Sequence, residues 1–384
     1  MKKLETEVLI IGGGPAGSTT ALYLSRLGYD VTLVEKKTFP RETLCGEFLS
    51  KEVTDVLKDL NIFDDFISLK PNKINAFRAV DSSGIEVRSD LNFEAYALKR
   101  SVFDTFLLGK AQSRMVNVIQ PAEVVSILKT KSDFISQIKD NSGESFAINS
   151  KLVIAAYGKQ NVLDKKMQRE FVNEKSNLNG VKFHIPVSLL NNISSEEIII
   201  YTNQGFYCGM NRVNENEMTV CFLEDRETSK IPAREKLVDM IKSNKQFNKV
   251  FSTEALQYIR SVNIYGTGNI YFGKRKLIEN GIIMIGDSAR VISPLAGDGI
   301  GMAMESAKLL SGIISRNTID ESHRKKLYLD YVNNFDTAFT KRLKTAGIIQ
   351  KFILGTIFRK IGFGFANKYP AILPSLIKFT RSLN

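Results

Sequence analysis

The stretch VLIIGGGPAGSTTALYL, residues 8–24, decides how the chain begins to fold. Val8, Leu9, Ile10 and Ile11 form a short unbroken apolar run, the pattern of a parallel strand buried on both faces. After Pro15 the pattern turns helical, with Ala16, Ala21, Leu24 and Leu27 falling on one side of a helix. Between strand and helix, Gly12, Gly14 and Gly17 match G-x-G-x-x-G. A turn this tight needs unrestricted φ. The missing Cβ atoms let backbone N–H groups approach an anion, and the helix N-terminus adds partial positive charge. A diphosphate satisfies all three requirements. A second apolar run, Val31–Val34, ends in Glu35, where a dinucleotide fold places the acid that accepts hydrogen bonds from an adenosine ribose. The alternative is a structural turn followed by a solvated glutamate. The joint spacing favours a dinucleotide site.

The chain has 384 residues, 43% hydrophobic and 24% charged, enough for two domains or one large domain with an inserted piece. Met1 to Glu7 is polar, so no signal peptide is expected, and no apolar run reaches the length of a membrane span. Cys45, Cys208 and Cys221 have no C-x-x-C spacing, which argues against a disulfide framework and fits a reducing cytoplasm. His184 and His323 stand far apart, so no metal site is expected; His184, beside Phe183 and Ile185, reads as a structural residue.

The net charge of +12 is unevenly placed: residues 337–384 hold nine Lys or Arg and no Asp or Glu, among apolar stretches such as IIQKFILGTIFRKIGFGF. Packed helices with snorkelling cations, peripheral contact with an anionic membrane, and nucleic-acid binding compete as explanations. The first is the plainest. The second suits basic-plus-apolar segments. No recognition motif accompanies the charge, so nucleic acid is not expected as a partner.

Further along, helical patterning appears in SKEVTDVLKDL and in residues 98–112, where Ser101 reads as an N-cap. Strands alternate with turns at DSSG (81–84) and NENE (214–217), and AREKLVDMIKS reads as a helix. Residues 278–310 form a second strong unit: a turn at Asn280-Gly281, a buried strand Ile282–Ile285, a glycine-rich loop and a long helix. A nucleotide-binding domain is thus assembled from the start, middle and late parts of the chain. The expected division is 1–61, 98–165 and 270–340 for that domain, 62–97 and 166–269 for a β-sheet substrate domain, and a basic apolar helical tail at 341–384. The expected fold class is mixed α/β.

The glycine turn, Glu35, Arg100, GDSA at 286–289 and PLAGDG at 294–299 together resemble the flavoprotein superfamily of p-hydroxybenzoate hydroxylase. Within it, the pattern is most similar to the geranylgeranyl reductases and related electron-transfer dehydrogenases. The resemblance implies bound FAD, with Gly12, Gly14, Pro15, Ala16 and Gly17 at the pyrophosphate and Glu35 and Lys36 at the adenosine ribose. It puts Arg41, Cys45, Gly46, Arg100, Val124 and Gly158 along the cofactor, and Gly286 and Asp287 at the ribityl chain. Pro294, Gly297, Gly299, Ile300 and Gly301 would pass the isoalloxazine, with a helix N-terminus aimed at its N1–O2 edge. The plainer reading of that loop is a helix N-cap through Asp298.

Cys45-Gly46-Glu47 resembles the Cys-Gly pair the reductases place near the flavin; Cys45 is either a weak proton donor or a small packing group. Tyr207, in a segment that resembles the strand facing the flavin, is a candidate acid or orienting hydroxyl, though a core tyrosine is equally ordinary. The hydroxylases carry an Asp-Gly pair where this chain has Ala156-Tyr157-Gly158, so hydride supply from NAD(P)H is not expected to follow their route and a ferredoxin-like redox partner is an alternative. The chain has no Trp, hence neither the Trp-containing reductase signature nor that of the flavin halogenases. The resemblance implies a flavin oxidoreductase acting on a C=C of an apolar isoprenoid, lipid or polyketide-like substrate. The alternative is a monooxygenase hydroxylating a small aromatic or polyketide-like molecule. A binding module that has kept its flavin pocket is the non-enzymatic alternative.

Overall fold

The computed structural model describes residues 3–227, 231–355, 357–371, 373, 374, 377 and 381. Two sheets organise it. The first is built on parallel strands in the spatial order Ile282–Met284, Ser145–Ala155, Lys3–Ile11, Val31–Val34, Asn117–Ile119. Val8 to Ile11 lie opposite Val31 to Val34 on one side and Leu152 to Ala155 on the other. This double pairing explains the unbroken apolar run: Val8, Leu9 and Ile10 have no exposure, so neither face needs a polar residue. Ala122–Lys129 and Phe134–Asp140 form an antiparallel hairpin that pairs with the N-terminal half of Ser145–Ala155.

The helix Pro15–Arg26 packs between the helices Arg100–Ser113 and Gly299–Ile314. Contact on both sides buries every residue from Pro15 to Leu24, wider than the one-sided stripe read from the sequence, while Leu27 at the C-cap is 44% exposed. Ser101 lies inside its helix, whose N-cap is Lys99.

The second sheet runs Tyr265–Thr267, Leu178–Pro186, Glu217–Asp225, Phe206–Arg212, Glu197–Asn203, Asn72–Asp81, Glu86–Ala97, Phe48–Leu49. The two-residue strand Phe48–Leu49 comes from the segment 1–61 yet joins this sheet. Period-two alternation assigns its faces. Phe206, Cys208 and Met210 pack with Leu237, Ile241 and Ile259 of the helices Ala233–Ser243 and Thr253–Ser261. Tyr207 points the other way, into a cluster with Ala79, Ile200, Leu223, Ile270 and Val291.

The tail departs from the expected boundary at 341. One helix runs unbroken through Glu321–Leu354, because no proline interrupts it and Gly347 meets no steric demand. A second helix follows, Ile357–Lys368. Within 341–384, residues 356, 372, 375, 376, 378–380 and 382–384 lie outside the described residues. The arginines of this region turn inward: Arg342 pairs with Asp298 and Glu305, Arg359 with Asp81, and Arg381 with Asp298. No helix among the described residues is long and apolar enough to cross a membrane.

Candidate functional site

The glycines of the first turn are held by close approach. Gly12 has φ +106°, and a Cβ there would stand 2.6 Å from the Ala156 carbonyl oxygen. A Cβ on Gly17 would overlap the Gly12 carbonyl oxygen. Gly14 caps the helix opened by Pro15 and Ala16 and is open, its nearest neighbour being the Arg41 guanidinium at 3.6 Å. Glu35 is buried; its carboxylate accepts from the backbone N–H of Gly13 at 2.7 Å and of Lys37 at 2.8 Å. Gly13 carries no motif weight, so sequence reasoning missed it.

Arg41 lies 3.8 Å from Glu35 and 3.6 Å from Asp104, and its buried Nε has no hydrogen-bond partner. A buried guanidinium N–H aimed beside an open helix N-terminus fits a phosphate oxygen. Lys36, next to Glu35, faces solvent and pairs with Glu123 at 2.8 Å. Val124 is a core residue of the hairpin and joins the main apolar cluster.

The late unit closes on the same strand ends. Gly286 has φ +56°, and a Cβ there would come within 2.8 Å of the Ala16 Cβ. Asp287 is half-buried, and no described residue donates a hydrogen bond to its carboxylate. Its backbone carbonyl is tethered by Arg275 at 3.0 Å, and that of Ser288 by Arg169 at 3.1 Å. Gly158, with φ +89°, exchanges hydrogen bonds with the Ser288 hydroxyl at 3.1 Å. Where the expected Asp-Gly pair is missing, the Tyr157 hydroxyl donates instead to Asp164 at 2.6 Å, and Asp164 pairs with buried Arg169 at 3.0 Å.

Pro294 and Leu295 enter a short turn that ends at Gly297, φ +61°, before the helix Gly299–Ile314. Ile300 is buried beneath it, and Gly301 has no room for a Cβ against Asp298 and Ser50. Asp298 occupies the N-cap position but makes no capping bond. It takes the Ser50 hydroxyl at 3.1 Å and faces Arg342 and Arg381. Burial and the nearby Glu52 carboxyl push its pKa up to about 7, against the two arginines.

The loop before Phe48–Leu49 joins the two sheets. Gly46 faces open space, and the Cys45 sulfur accepts from the Glu47 N–H at 3.3 Å. Glu47, at φ +59°, is fully buried. Its carboxylate meets Lys182 Nζ at 2.5 Å, His184 Nε2 at 2.6 Å, the Thr219 hydroxyl, and the backbone N–H of Arg100 at 2.8 Å. Burial alone would raise the Glu47 pKa; the His184 hydrogen bond and the Lys182 charge outweigh it and hold the pKa at about 2. Glu42, Glu47 and His184 lie close enough to hold a cation, but the Lys182 ammonium already sits there, 2.8 Å from Glu42. Arg100 makes a bidentate pair with Asp104, at 2.6 and 2.8 Å, and its guanidinium also meets the Cys45 sulfur. Of this network, sequence reasoning singled out only Cys45, Gly46 and Arg100 as site residues, because its other members are joined only by the fold.

Tyr207 is buried, and its hydroxyl has no hydrogen-bond partner. Burial, with smaller contributions from Cys221 and Cys208, raises its pKa well above that of a free phenol, so it stays protonated. Its cluster includes Val291, with Leu44 and Leu295 packed against it, and so reaches the loops carrying Cys45 and Pro294.

The model of the FAD binding domain family matches residues 5–333. The digeranylgeranylglycerophospholipid reductase 2 of Methanosphaera stadtmanae is 25% identical, across 91% of this chain and 88% of its own. The 1H-pyrrole-2-carbonyl-[peptidyl-carrier protein] chlorinase of Pseudomonas fluorescens is 23% identical, across 86% of this chain and 80% of its own. Among solved structures, a flavoprotein/dehydrogenase from Cytophaga hutchinsonii superposes with a TM-score of 0.73 at 18% identity, covering 98% of this chain and 96% of that one. The chain belongs to the FAD binding domain family and is an FAD-dependent oxidoreductase.

Proposed function

We propose that the chain transfers a hydride from reduced FAD to a carbon–carbon double bond of an apolar substrate of isoprenoid or lipid type. The observation that carries this reading is Tyr207: a buried, unpartnered hydroxyl amid Ala79, Ile200, Leu223, Ile270 and Val291. An unpaired buried hydroxyl costs about 1–3 kcal/mol, a cost that a substrate or cofactor partner would offset.

The residues fit FAD. Gly12, Gly14 and Gly17 with Arg41 would hold the diphosphate, Glu35 the ribose, Asp287 the ribityl chain, and the Pro294–Gly301 loop the ring edge. When bound, FAD supplies the hydride and takes up two electrons from a donor. The remaining chemistry belongs to the chain. The apolar cluster orients the alkene and keeps water out. Tyr207 holds a proton at Oη and delivers it to the second carbon as negative charge develops there, so the bond gains two hydrogens, and solvent returns the proton. Cys45, on the neighbouring loop, lines the same approach. With Tyr157 in place of the expected acid, a protein electron donor is part of this proposal.

A second reading is oxygen-dependent chemistry on a small aromatic or polyketide-like molecule, favoured by the similarity to a chlorinase.

Tyr207→Phe tests the role of the hydroxyl. In single turnovers of the pre-reduced holoprotein with a prenyl alcohol, the variant is expected to be about 100-fold slower, the usual worth of a positioned acid. FAD affinity should stay within a factor of two. An unchanged rate removes Tyr207 from the chemistry.

A further inference from the structure

The helix Ile357–Lys368 has two contrasting faces. Inward, Phe363 and Ala366 join the Tyr207 cluster, and Arg359 is buried against Asp81 and Ser82. Outward stand Lys360, Ile361, Gly364, Phe365 and Lys368, continued by Tyr369, all exposed. Ile361 is 62% exposed, Phe365 50% and Tyr369 49%. The positions 361, 365 and 369 recur every four residues, so three large apolar side chains form one stripe. Lys360 and Lys368 flank it, and neither is ion-paired to any described residue.

The charge pattern points to the occupant. Residues 337–384 contain no acid. The arginines of this region are consumed inside the protein, by Asp298, Glu305 and Asp81, whereas Lys344, Lys351, Lys360 and Lys368 remain exposed. A protein partner that matched only the apolar stripe would leave the lysines unpaired. An anionic lipid surface takes both, the apolar side chains among the acyl chains and the ammonium groups at the phosphates.

We infer that the outer face of Ile357–Lys368 docks the protein on an anionic bilayer. The same helix, through Phe363 and Ala366, packs in the apolar cluster around Tyr207, so docking would bring a lipid-borne alkene beside that cluster. That last consequence rests on the proposed reductase function; the docking itself does not, and it is measured without substrate.

The test is co-sedimentation of the flavin-loaded full chain with vesicles of phosphatidylcholine alone and of phosphatidylcholine containing phosphatidylglycerol. Binding is expected with the mixed vesicles only, and to weaken as salt rises. Each of Lys360→Gln and Lys368→Gln should weaken binding about five-fold, and Phe365→Glu should weaken it by more than ten-fold. Retained flavin absorbance shows that each variant is folded, since all three positions face solvent. Equal recovery with both vesicle types, or no binding, overturns the inference. So does a self-association that Phe365→Glu abolishes while vesicle binding persists, which would assign the stripe to a second copy of the chain. If docking holds but no alkene is reduced, the docking surface stands and the reductase reading falls.

Discussion

Gly17→Ala is expected to purify without flavin. The new methyl group would overlap the Gly12 carbonyl oxygen and approach the Ala156 Cβ to 3.2 Å. Neither neighbour is the end of a flexible side chain, so the helix Pro15–Arg26 must move away from the strand that feeds it. Overpacking of this kind costs roughly 1–3 kcal/mol, and here the displacement falls on the N–H groups proposed to hold the diphosphate. FAD affinity should drop about 100-fold, read by titration with FAD and by circular dichroism to verify the fold. Arg41→Ala provides the companion measurement: it leaves the turn intact and should weaken FAD about ten-fold through loss of a charge-assisted hydrogen bond. Wild-type affinity in a folded Gly17→Ala protein, or in Arg41→Ala, contradicts the phosphate cradle drawn from Gly12, Gly14, Gly17 and Arg41.

The second large effect is on stability. Glu47 has a pKa of about 2 in the folded chain, against an ordinary 4.5. A carboxyl so depressed on folding contributes about 3 kcal/mol. The sign follows from the depression. Above about pH 4.5 the group is ionised in both states and the contribution is complete. As pH falls from 4.5 toward 2, the unfolded chain takes up the proton first, and the contribution is lost. Glu47→Gln keeps the size of the side chain but leaves Lys182 facing an amide, with only Glu42 as its acid partner. The variant should unfold about 3 kcal/mol more easily at neutral pH, and its stability should change less than wild type between pH 4.5 and 3. Urea unfolding at several pH values measures both. Parallel pH profiles for the two proteins contradict the assignment.

The two strand–turn–helix units of the candidate site were legible because their signals are local. Gly12 to Gly17 encode a strand, a turn and a helix within a few residues, and the Asn280-Gly281 turn with GDSA encodes a second such unit. The Glu47 network was not legible. It unites Glu47 with Lys182, His184 and Thr219, residues more than a hundred positions away that meet only when the short strand Phe48–Leu49 joins the second sheet. His184 reads from sequence as a satisfied structural residue, and it is bonded to Glu47. Asp298 was hidden for another reason: its place before a helix suggests a cap, while two arginines from the tail and the Ser50 hydroxyl claim its carboxylate. The tail's sequence reads most plainly as packed helices and leaves a membrane surface open, because inward arginines and outward lysines are indistinguishable until the helices are placed.

The reduced flavoprotein is proposed to deliver its hydride to an apolar alkene. The most direct measurement reduces the holoprotein by light without oxygen, mixes it with a prenyl alcohol, and follows both flavin absorbance and product mass. Reoxidation of the flavin is expected under anaerobic conditions, with a product that has gained two hydrogens. Reoxidation that requires oxygen, with a product that has gained an oxygen atom, would contradict it and move the protein to the oxygen-dependent reading.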